Sequence, residues 1–131
     1  MWRQWLILII VCKLFAGCGP KPVPGGTEGV VHVGAATLPD ILVRVFPADS
    51  ADAVGFGITE SDGAFELRKP NATGPLWLPP GDYRATIESV GPTRLVFPAD
   101  YARPETTPLM VIWTGDDRVL DLEVPEPTVG R

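Results

Sequence analysis

The chain is poor in the side chains that carry most acid–base and covalent chemistry. Its 131 residues include one histidine and two cysteines. A structural zinc site takes about four His or Cys ligands, so none can be assembled, and no Gly-x-Ser-x-Gly elbow or second histidine completes a nucleophile relay. No apolar run reaches the roughly 20 residues of a spanning helix. Basic residues number 11 against 16 acidic ones, a formal charge of −5 with a pI near 4.7. That balance argues against a nucleic-acid partner, because phosphate binding draws on clustered Lys and Arg. Room for helices is short as well, since 15 prolines and 14 glycines punctuate the backbone. With 45% hydrophobic residues the chain can still build a core, and its length suits one domain.

The N-terminus reads as an address. One basic residue, Arg3, precedes an apolar stretch from Trp5 to Ala16 that only Lys13 interrupts, and Gly17-Cys18 follows. This is the n-region, h-region and small-residue exit of a secretory signal peptide. Phe15-Ala16-Gly17-Cys18 resembles a bacterial lipobox, with Phe15 where Leu is usual. The resemblance implies cleavage after residue 17 and a diacylglycerol on the Cys18 thiol. An ordinary signal peptide cut nearby, or a single-pass anchor, are the other readings. On the lipobox reading Cys12 leaves with the signal and the mature chain has no free thiol. Loss of Arg3 and Lys13 takes the formal charge from −5 to −7, so membrane attachment would rest on the acyl chains rather than on anionic headgroups. The expected organisation is a signal over 1–17, a Pro/Gly-rich tether over 18–27, a domain over 28–124 and a flexible, unstructured tail over 125–131.

Within the domain the hydrophobic period is 2. Tyr83, Ala85 and Ile87 alternate with Arg84, Thr86 and Glu88, and Leu120, Leu122 and Val124 alternate with Asp121 and Glu123. Phe65 and Leu67 alternate with Glu66 and Arg68. These patterns predict half-buried strands. Val54, Phe56 and Ile58 alternate with Gly55, Gly57 and Thr59, which predicts a strand whose outer face is nearly bare. Val30 to Val33 makes a first strand, while Ile41 to Phe46 and Leu109 to Trp113 are more continuously apolar and expected to be more deeply buried. Asp62-Gly63 and Pro79-Pro80-Gly81 supply turns, and Tyr83 is expected to bury its ring with the hydroxyl at the edge. Residues 91–108 carry four prolines, too many for a central strand, and are expected to cross the sandwich as an ordered excursion pinned by Phe97 and Tyr101. The fold class is an all-β, antiparallel-rich sandwich of about seven strands.

Four segments in order resemble the carboxypeptidase regulatory-like domains. They are Glu28 to Val33 with Ile41 to Pro47, Thr59 to Leu67 around Asp62-Gly63, Leu78-Pro79-Pro80-Gly81-Asp82-Tyr83, and Phe97 to Leu109 closing on Leu120 to Val124. The last is similar to the C-terminal signature of small bacterial lipoproteins carrying this domain. The resemblance implies a transthyretin-like (prealbumin-like) sandwich. The related hydroxyisourate hydrolases use several histidines and a C-terminal Tyr-Arg-Gly-Ser, whereas this chain ends Pro127-Thr128-Val129-Gly130-Arg131.

The candidate sites are therefore few. His32 is expected half-exposed on a sheet. Asp49, Asp52, Glu60, Asp62 and the Asp116-Asp117 pair read as turn formers, since calcium needs 6–8 converging oxygens. Asn71-Ala72-Thr73 reads as a turn. Trp77, Trp113 and Tyr101 are the possible ligand contacts, with strand position favouring the core for both tryptophans. No cofactor or metal is expected, and the chain is expected not to be an enzyme. Two functions remain. One is a lipid-anchored, non-catalytic cell-envelope module that docks a protein or fills a structural role. The other is an extracytoplasmic module that binds a glycan or small ligand. Gly19 after the cysteine is not an Asp retention signal, which favours the outer membrane.

Overall fold

A computed structural model describes residues 25–114, 116 and 118–130. The signal segment, Cys18 and the tether up to residue 24 lie outside the described residues. The domain is all-β. Seven strands of three or more residues form it: β1 (Glu28–Val33), β3 (Ile41–Pro47), β4 (Gly55–Ile58), β5 (Ala64–Glu66), β6 (Gly81–Ser89), β8 (Met110–Trp113) and β9 (Val119–Glu123). Three two-residue strands join them: β2 (Ala36–Thr37), β7 (Leu95–Val96) and β10 (Thr128–Val129). The only helical element among the described residues is a 3-10 turn over Ala99–Ala102.

The strands make two sheets and a ribbon. In the first sheet β1 is central, with β9 parallel on one side and β5 and β2 antiparallel on the other. The second sheet runs β4-β3-β6-β8, antiparallel throughout. The ribbon pairs β7 with β10, so the tail is a strand at Thr128–Val129 rather than the unstructured end its composition suggests.

The inner faces meet in one core. Val31, Phe65, Leu120 and Leu122 come from the first sheet, and Ile41, Val43, Val45, Ala85 and Ile87 from the second; all are 3% exposed or less. At about 25 cal/mol per Å² of apolar area, this core is the main stabilising term for a domain with no disulfide in its described part. Buried threonines close backbone accounts between segments. Thr27 Oγ1 accepts from Leu78 N, Thr59 Oγ1 accepts from Ile41 N, and Thr107 Oγ1 donates to the Ala85 carbonyl at 2.7 Å.

Strand β4 has the opposite phase to that expected from its sequence. Gly55 and Gly57 face the core, while Phe56 is half-buried and Ile58 is 49% exposed. The reason is the Phe65 ring. It fills the space between the sheets, and a methyl on Gly29 or Gly57 would fall 2.1 Å or 2.8 Å from it. The glycines are inside because a neighbour's side chain occupies their share of the core. Strand β8 also departs from expectation. Trp113 is buried, but Met110 and Ile112 are 58% and 76% exposed. Met110 and Ile112 take the phase opposite to Trp113, which turns them to the outer face of the sheet.

Other turns and anchors match their sequence. Gly63 has φ +79°, and Gly63 N–H bonds the Glu60 carbonyl at the Asp62-Gly63 turn. Tyr83 is buried and its hydroxyl donates to the Pro79 carbonyl at 2.6 Å, fixing the Pro79-Pro80-Gly81 corner. Asn71-Ala72-Thr73 is a turn in which Asn71 Oδ1 accepts from both Thr73 N and Thr73 Oγ1. The excursion lies on β6 beyond the reach of β8. Arg84 Nη1 donates to the Pro104 carbonyl, Leu95 N donates to Ser89 Oγ, and Phe97 and Tyr101 pack against the core.

Candidate functional site

The three aromatic candidates separate. Trp113 is buried, with Nε1 donating to the Leu78 carbonyl at 3.1 Å, so it is a core residue whose polar end is satisfied. Tyr101 is half-buried in the 3-10 turn against β6. Trp77 is 65% exposed, contrary to the core position expected for it. It lies in the irregular segment before β6, where the flanking Leu78 points inward instead, and its ring rests on the Gly25 backbone.

His32 stands on the outer face of β1, half-buried beside its neighbours. Nε2 pairs with Asp121 Oδ1 across the parallel β1–β9 ladder at 2.5 Å, and Nδ1 bonds the Gly34 carbonyl at 2.8 Å. The Gly34 carbonyl does most to hold its pKa above the ordinary value; partial burial opposes this, and Asp121 and Glu123 add to it. Both ring nitrogens are thus engaged. Among the described residues no group of three or more His, Cys, Asp or Glu converges as a metal site.

Two surfaces remain open. The first is the edge of the second sheet. Strand β8 pairs only with β6 among the described strands, and Ala85 N bonds Leu109 O, which sets the ladder phase. Alternation then turns the N–H and C=O of Met110 and Ile112 away from β6, toward the open edge. No charged side chain lies on this strand. Sheet edges are ordinarily blunted by charge, as β9 is by Asp121 and Glu123.

The second surface is a concavity of about 630 Å³ on the outside of the first sheet, within the roughly 300–1,000 Å³ of small-ligand sites. It spans the hairpin from β4 to β5. That hairpin is bonded at Phe56–Arg68 in both directions and again at its turn, where Glu60 N–H bonds the Ala64 carbonyl. At the rung between them, Ile58 opposite Glu66, β4 and β5 form no ladder pairing. Cross-strand register then sets out two rows. One reads Val119, Glu28, Glu66, Ile58; the next reads Asp121, Val30, Ala64, Glu60. Acidic and apolar side chains are therefore interleaved over four strands. Sequence reading missed this surface, because Glu28, Glu60 and Glu66 lie on separate segments and look like ordinary solvated positions.

No family model matches the chain, and no curated protein or solved structure matches it significantly.

Proposed function

We propose that this protein is a lipid-anchored, non-catalytic module of the cell envelope that docks an extended segment of another envelope protein along β8. The observation that carries the reading is the β8 edge, where an uncharged strand presents Met110 and Ile112 together with the outward backbone groups of the same residues. Strand addition draws affinity from such main-chain groups and specificity from alternate side chains. The anchor rests on the lipobox-like Phe15-Ala16-Gly17-Cys18, and the transthyretin-like, carboxypeptidase regulatory-like kinship rests on the four ordered motifs. His32, with both ring nitrogens occupied, fits a structural role better than a catalytic one.

A photo-crosslinking side chain at Ile112 in cells is expected to capture one recurrent envelope protein, with capture lost when Met110 is replaced by Pro. Capture that is diffuse, or unchanged by Met110→Pro, removes the edge from consideration. Cys18→Ser is expected to release the protein from membranes; retention of the uncleaved chain would make the N-terminus a simple anchor. The glycan-binding alternative is favoured by one observation, the exposed Trp77 indole. Trp77 is not among the residues lining the 630 Å³ concavity. Loss of sugar-polymer retention in Trp77→Ala would support that alternative.

A further inference from the structure

The concavity on the first sheet is separate from the β8 edge and carries its own chemistry. Glu28 and Glu66 are direct cross-strand neighbours, both exposed, so two like charges face each other at about 5 Å between Cβ atoms, an arrangement that is unfavourable by itself. The ion pairs among the described residues are His32–Asp121 and Arg44–Glu88, and neither involves Glu28, Glu60 or Glu66. Of the side chains lining the concavity, three are carboxylates and one, Arg68, is cationic. The floor between the carboxylates is apolar: Val30 and Ala64 in one row, Ile58 and Val119 at the ends of the other. At its centre, β4 and β5 form no ladder pairing at Ile58 and Glu66.

We infer that this concavity is a binding site for an extended peptide segment carrying basic residues at alternate positions. Charge complementarity selects the occupant. An ammonium or guanidinium lying over the Glu28–Glu66 pair relieves their repulsion, and its methylene stem covers Val30 and Ala64 in the way long basic side chains cover apolar surface. In an extended segment, residues i and i+2 face the same side at about 7 Å. A second basic residue therefore reaches Glu60, which lies one row further along β5's neighbour. The peptide's main chain can bond the groups at the Ile58–Glu66 rung. An acidic or purely apolar segment satisfies none of these features. A free polyamine would meet the charges without using the backbone groups.

The test uses the full chain in detergent micelles, labelled with nitrogen-15, and the acetylated, amidated probe peptide Lys-Val-Lys-Val-Lys. Amide shifts are expected at Val30, Ile58, Ala64 and Glu66, with affinity falling about tenfold or more in the Glu28→Gln/Glu66→Gln variant and weakening as salt rises. That variant removes a like-charge pair and is expected to fold at least as well as the parent, so lost binding cannot be lost folding. Equal binding of the Glu-Val-Glu-Val-Glu analogue, equal binding of spermidine, or shifts that persist unchanged in the double variant would each overturn the inference. Shifts confined to Met110 and Ile112 would overturn it too while leaving the β8 docking reading intact.

Discussion

The outer faces of the two sheets share one core and have different fates. On the second sheet, Phe46 and Thr86 point away from the core yet are 7% and 3% exposed, and Arg84 beside them reaches the Pro104 carbonyl. The proline-rich excursion lies over this part of β6. On the first sheet, the outward residues of β1, β5 and β9 are half-buried or exposed. Function can sit on only one of these two faces. A face roofed by the chain's own loop is stabilised by it and closed to partners, whereas an open face can hold unpaired carboxylates and an apolar floor for something else to cover.

Four measurements test this contrast. The largest effect is expected below both faces. Phe65→Ala should cost about 3–5 kcal/mol in urea unfolding, because its ring fills the space that Gly29 and Gly57 leave between the sheets. If the cost is under about 1 kcal/mol, the two faces do not rest on a shared core. Next is the roofed face. Thr107→Val should cost about 1–3 kcal/mol and raise hydrogen exchange along β6, since the buried Oγ1 donor to Ala85 O is lost without change of shape. An unchanged exchange pattern would mean that the excursion is not fastened there.

On the open face the sign reverses. Glu28→Gln should raise stability by about 0.2–1 kcal/mol by ending the cross-strand repulsion with Glu66, and a loss instead would mean that Glu28 has a favourable partner. The smallest effect is pH-dependent. The folded-state pKa of His32 is raised, chiefly by the Gly34 carbonyl, so its contribution is fully present below the unfolded-state pKa and is lost as pH rises through the folded value. Comparing the parent with His32→Gln from about pH 5 to about pH 9 should show an advantage for the parent that shrinks toward alkaline pH. A constant difference would remove the His32–Asp121 pair as its source.

Much of the fold was legible locally. Period-2 alternation located four of the seven longer strands and short apolar runs the other three, and Asp62-Gly63 and Pro79-Pro80-Gly81 announced their turns, because these signals act within a few residues. The errors have a common cause. The Gly55-Phe56-Gly57-Ile58 segment alternates in a way that leaves either face free to turn inward, and only the Phe65 ring arriving from another strand selects the glycine face. Leu109 to Trp113 is apolar enough for a central strand, and nothing in its own residues states that no strand will pair beyond it. Trp77 sits beside inward-pointing Leu78, and that phase is decided by the Thr27 contact to Leu78 N, 51 residues away in sequence. The concavity was invisible for the same reason, since its carboxylates come from three segments whose register is set by pairing.

By itself the sequence determined the class of fold, the turns, the acidic balance and the lipobox-like N-terminus, all of which depend on composition or on neighbours a few positions apart. Tertiary structure alone decided which face of β4 is inside, which sheet face the excursion roofs, and that Glu28 stands opposite Glu66. Those are matters of long-range pairing and of shared volume, where one residue's place depends on the side chain that has already filled the space beside it.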